Sequence, residues 1–109
     1  MRISSSLLAV ALLGLSGSAF AQACATQDSS EQLALVLCGK SADQAALKAA
    51  GMAACKGKKV CNAWIWDDAA KLPAKAPATD KDLPKSATGA ARAIWINDSQ
   101  TLMELRKAH

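Results

Sequence analysis

Two seven-residue stretches concentrate the side chains that could do chemistry. They are Asn62-Ala63-Trp64-Ile65-Trp66-Asp67-Asp68 and, thirty positions on, Arg92-Ala93-Ile94-Trp95-Ile96-Asn97-Asp98. Together they hold all three tryptophans of the chain. An indole offers a large apolar face and one N–H donor, which suits sugar rings and protein interfaces. Trp64, Trp66 and Trp95 are therefore candidate binding residues, with Asn62, Asp67, Asp68, Asn97 and Asp98 as neighbouring polar partners. The adjacent carboxylates of Asp67 and Asp68 raise acid–base or metal chemistry. They also sit just before Ala69-Ala70-Lys71-Leu72, where an aspartate caps a helix by accepting from its first free N–H groups, and Asn97-Asp98 has the same context.

The rest of the catalytic inventory is thin. The only histidine, His109, is terminal, so no Ser/His/Asp set can be assembled. No His-rich metal site and no phosphate-cradling glycine loop occurs. No catalytic residue, cofactor or metal is expected. An enzyme would have to rely on the paired aspartates or on an unpaired thiol.

Cys24, Cys38, Cys55 and Cys61 lack any C-x-x-C spacing, which removes the usual redox and zinc-knuckle motifs. An even number of cysteines in a short exported chain implies disulfides, with three connectivities open. Pairing Cys24 with Cys55 and Cys38 with Cys61 suits a helical hairpin. The local pairing, Cys24 with Cys38 and Cys55 with Cys61, is nearly as consistent with the spacing.

Export is read from the first residues. Arg2 precedes an uncharged apolar run, Ile3 to Leu15, followed by small residues. That run is shorter than the roughly 20 residues needed to span a bilayer. Ala19-Phe20-Ala21 and Ala21-Gln22-Ala23 both fit a signal-peptidase site. Cleavage after Ala21 gives a leader, 1–21, and one domain, 22–109, of 88 residues. Cleavage after Ala23, or lipidation of Cys24, is the alternative. No later run is long enough to cross a membrane, which predicts a periplasmic or secreted bacterial protein. A domain this small buries only about 60–65% of its unfolded surface. With no tyrosine, and with its one phenylalanine (Phe20) in the leader, it needs disulfides as staples.

The elements that must position the indoles follow from local signals. Ser29-Ser30-Glu31-Gln32 resembles a capping box before Leu33–Cys38, which predicts a short helix, although a continuous apolar run also suits a strand. Ser41-Ala42-Asp43-Gln44 opens a second helix over 42–55, interrupted by Gly51, which ends it or lets another element come close. Val60–Trp66 and Ala93–Asn97 read as strands. Residues 72–91, rich in Pro, Ala and Lys, form a long loop, and Thr101–Lys107 a closing helix with Leu102 and Leu105 on one face. The fold expected is α+β, an N-terminal helical pair packed on a two-stranded or slightly larger sheet with a C-terminal helix.

Alternation along the two strands puts Trp64, Trp66, Ile94 and Ile96 on one face, with Ile65 and Trp95 behind. Both faces are apolar, so helices cover one and the loop, a second subunit or a ligand covers the other. The basic turn Lys56-Gly57-Lys58-Lys59 and a net charge of +3 on residues 22–109 (13 Lys and Arg less Arg2, against nine Asp and Glu) are too weak to indicate nucleic acid. The function expected is an exported binding or interaction module, such as an inhibitor, accessory subunit or envelope-associated factor, with a protein or glycan partner. The alternative is a thiol-redox or Asp-dependent envelope enzyme.

Overall fold

Leu33–Cys38 decides the architecture. Leu33, Ala34, Leu35 and Val36 are each at most 1% exposed, so this segment is enclosed on both faces. A strand covered on both sides reads as a continuous apolar run, whereas a helix of that length would leave one side to water. In the computed structural model, which describes residues 24–106, it is the second of five strands. These are β1 (Cys24–Ser29), β2 (Leu33–Cys38), β3 (Asn62–Trp66), β4 (Ala93–Ile96) and β5 (Thr101–Glu104). They form one sheet in sequential order, with β2 and β3 parallel and the other pairs antiparallel. The leader 1–21, both cleavage positions and His109 lie outside the described residues.

Three expectations are corrected. There is no N-terminal helical pair. Its first member is the β1–β2 hairpin, where Ser30 N–H donates to Leu33 O at 2.7 Å instead of opening a helix. The sheet has five strands, not two or slightly more. The closing helix is β5, because Asn97–Gln100 makes a tight turn. Gln100 sits at φ 55°, and its N–H and side-chain amide both reach Asn97 O, at 3.2 and 2.7 Å. That turn lays Leu102 opposite the buried Trp95. The second predicted helix is present as α1 (Gln44–Ala54), the crossover between the parallel strands. Its cap is Asp43, whose Oδ1 accepts from Ala46 N–H at 2.9 Å.

Helix α1 covers one face of the sheet. Leu47 and Gly51 are buried there over Val36, Ala63, Ile65 and Trp95. A Cβ at Gly51 would lie 2.3 Å from Trp95 Cβ, so glycine is what lets the helix settle on the indole. The other face is covered by the chain between β3 and β4. Leu72, Ala76, Leu83, Ala87, Ala90 and Ala91 pack over Leu33, Leu35, Trp64 and Trp66. This segment contains two short 3-10 turns, Ala69–Lys71 and Asp80–Asp82, and one helical turn, Lys85–Thr88. Polar ties pin it: Trp66 Nε1 donates to Ala87 O at 2.8 Å and Ser30 Oγ to Pro77 O at 2.7 Å. Ala76 N–H donates to Asp28 Oδ2 at 2.6 Å, a bond to the charged form that lowers the Asp28 pKa.

Both disulfides are local. Cys24 lies directly opposite Cys38 across β1 and β2, and Cys55 at the end of α1 bonds Cys61 just before β3. The crossed pairing required a helical hairpin, and none is there to bring Cys24 to Cys55. Sequence separations of 14 and 6 give loop-closure stabilisations of about 3 and about 2 kcal/mol. The Cys24/Cys38→Ser double variant is therefore expected to lose more stability in urea than Cys55/Cys61→Ser. Proteolysis without reductant should release only the two local bridges. A fragment joining Cys24 to Cys55 would contradict this fold.

Candidate functional site

The strands place the indoles on faces as alternation requires. Trp64 stands opposite Ile94 and shares a face with Trp66, the rings 6.2 Å apart, while Trp95 stands opposite Ala63 on the α1 side. Trp66 and Trp95 are at most 1% exposed, and Trp64 is only partly buried. Every indole N–H is bonded within the chain. Trp64 Nε1 donates to Asp80 Oδ2 at 2.8 Å, Trp66 Nε1 to Ala87 O and Trp95 Nε1 to Asn97 Oδ1 at 3.1 Å. Asn97 in turn donates to Lys58 O at 2.6 Å and fixes the basic turn. Stacking on a ligand therefore falls to Trp64 alone, and Asn97 is already engaged by the chain.

Asp67 and Asp68 part company. Asp68 is the predicted cap, its Oδ1 accepting from Ala70 N–H at 2.9 Å. Asp67 is instead buried, with its side chain 1% exposed. It follows the last residue of β3, at the carboxyl end of the strand. Its Oδ1 accepts from Arg106 Nη2 at 3.0 Å and has Lys40 Nζ at 3.9 Å; its Oδ2 is enclosed with no partner among the described residues.

These residues line an open cavity of about 280 Å³ bounded by Lys40, Asp67, Asp68, Lys71, Gly89, Ala90 and Arg106. Four chain segments meet there. Lys40 follows β2, Asp67 and Asp68 follow β3, Gly89 and Ala90 precede β4, and Arg106 follows β5. The cavity thus lies at the carboxyl end of the parallel pair, where the chain leaves adjacent strands in different directions and opens a crevice.

Arg106 is held on one side and free on the other. Nη2 donates to Asp67 and, at 3.0 Å, to Ala90 O; Nε donates weakly to Ala91 O at 3.4 Å. Nη1 has no hydrogen bond among the described residues, and the Arg106 side chain is 37% exposed. The backbone carrying Arg106 is fixed by a second arginine. Arg92, 1% exposed, accepts through its carbonyl from Leu105 and Arg106 N–H at 2.9 and 3.2 Å. Its guanidinium donates to Arg106 O at 3.2 Å and Ala42 O at 2.8 Å. Lys40 and Lys71 are exposed, and Lys71 makes no ion pair among the described residues.

Three cations thus surround two carboxylates, one of them spent on a backbone cap. The chemistry this permits is recognition of an oxyanion, by an arginine already oriented and two lysines free to adjust. Among the described residues no three His, Cys, Asp or Glu side chains are grouped to hold a metal ion. Sequence reading reached Asp67 and Asp68 but missed Lys40, Lys71, Arg92, Arg106 and the Asp80 clamp on Trp64. Their only sequence signal was isolated charge beside apolar segments. No family model matches the chain, and no curated protein or solved structure matches it.

Proposed function

We propose that the chain is a small exported binding module that captures an acidic group, on a protein or glycan of the cell envelope, in the cavity at Arg106. The observation that carries the reading is the anchored guanidinium. Asp67 and the Ala90 carbonyl fix Arg106 before any ligand arrives, so little conformational entropy is lost on binding. Two disulfides fit an extracytoplasmic setting, and no helix among the described residues is long and apolar enough to cross a membrane.

The test is titration of the isotope-labelled protein with acetate and phosphate, followed by amide chemical shifts. Shifts are expected at Lys40, Asp68, Gly89, Ala90 and Arg106, weakening about three- to tenfold in affinity in Lys40→Ala/Lys71→Ala, a pair whose side chains carry none of the core. Shifts scattered over every surface lysine, or none at all, would remove the cavity as a recognition site.

A further inference from the structure

Resting on that reading, we infer that the ligand carries a hydrogen-bond donor on the carbon next to its acid group, as a 2-hydroxy or 2-amino acid does. The second oxygen of Asp67 points to it. A buried carboxylate normally fills both oxygens, and one left without a partner is costly unless something completes it. Here Arg106 and Lys40 both gather at Oδ1, while Oδ2 has no partner among the described residues. The charge of Asp67 is thus already balanced, and what Oδ2 lacks is a donor.

The placement limits where that donor can be. Asp67 and Arg106 are in direct contact at 3.0 Å. A ligand oxyanion on Arg106 Nη1 is thereby brought beside Asp67, and a donor on the carbon adjoining the acid group is the nearest one such a ligand can offer Oδ2. Oδ2 is enclosed, so the donor reaches it by displacing a side chain at the rim. Lys40 is the one held least: its side chain is 63% exposed and its ammonium stands 3.9 Å from Oδ1, beyond hydrogen-bond distance. An open cavity of about 280 Å³ has room for a group of this kind. With three cations against two carboxylates around the cavity, an acid is favoured over a plain amine.

The experiment compares three ligands of nearly equal size on the oxidised protein: propanoate, 2-hydroxypropanoate and 2-aminopropanoate. Affinities come from amide shifts at Gly89 and Ala90. At least one donor-bearing acid is expected to bind roughly tenfold more tightly than propanoate, the value of one charge-assisted hydrogen bond. Which of the two gains tells hydroxyl from ammonium. In Asp67→Asn that advantage should shrink toward unity. If the variant does not fold, the comparison on the unsubstituted protein decides alone. Equal binding of all three acids overturns this inference and leaves a plain oxyanion site, with water completing Asp67. Binding of none of them overturns the cavity reading itself.

Discussion

Gly51→Ala is expected to destabilise the protein by about 2 kcal/mol or more, although the same change in an exposed helix stabilises by about 1 kcal/mol. Gly51 lies in the middle of α1, where glycine is among the poorest choices for the backbone. Its use is steric. A Cβ there would approach Trp95 Cβ, Cγ and Cδ1 to 2.3, 2.4 and 2.8 Å. No exposed flexible tip is available to move aside. Trp95 is 1% exposed, belongs to β4, and is tied through Nε1 to Asn97. Alanine must therefore lift the helix off the sheet and thin the packing around Leu47 and Ile65. Ala49→Gly, on the exposed side of the same helix, is the control; it should cost about 1 kcal/mol through propensity alone. Urea unfolding measures both. A Gly51→Ala protein as stable as the parent would mean that helix and indole do not touch as described.

The same contact shows what the sequence disclosed and why it stopped. Gly51 stood out because it broke an alanine-rich helix, and a close approach was one of its two readings. The β3 and β4 strands were visible because Trp64, Trp66, Ile94 and Ile96 alternate with the period of a pleat, which fixes faces before any partner is known. Leu33–Cys38 carries no such period, and only burial on both sides distinguishes it from a helix. Thr101–Glu104 failed for another reason. Leu, Met and Glu are good helix formers, but the turn at Asn97–Gln100 and pairing with Trp95 override that preference. The disulfide connectivity stayed open for the same reason: its crossed form depended on a helical hairpin, and the local pairing, the other reading, is the one present. The cavity was least legible. Lys40, Asp67, Ala90 and Arg106 come from separate segments, and no spacing along the chain announces that they converge.

The long segment between β3 and β4 raises the remaining question, since a stretch such as 72–91, rich in proline and lysine, would ordinarily be mobile. Asp80 answers it. Its Oδ2 accepts from Asn62 Nδ2 at 2.9 Å and from Trp64 Nε1 at 2.8 Å, clamping the middle of the segment to the first half of β3. Hydrogen bonds to a charged acceptor contribute about 1.5–3 kcal/mol each, and partial burial puts these at the lower end. Asp80→Ala is accordingly expected to cost about 2–4 kcal/mol, because it also leaves the Trp64 N–H and the Asn62 amide to find water. Leu83 and Ala87, which the clamp helps to seat over Trp66, should loosen with it. Three measurements should move together. The urea midpoint falls, iodide quenches the partly buried Trp64 more strongly, and trypsin cuts sooner after Lys75 or Lys81. Thr79→Ala, whose exposed hydroxyl reaches Asp82 only at 3.5 Å, should change none of them. Were Asp80→Ala to melt like Thr79→Ala with Trp64 no more accessible than before, the apolar contacts of Leu72, Leu83 and Ala87 would suffice to hold the segment. The carboxylate would then be an ornament of the surface, not its fastening.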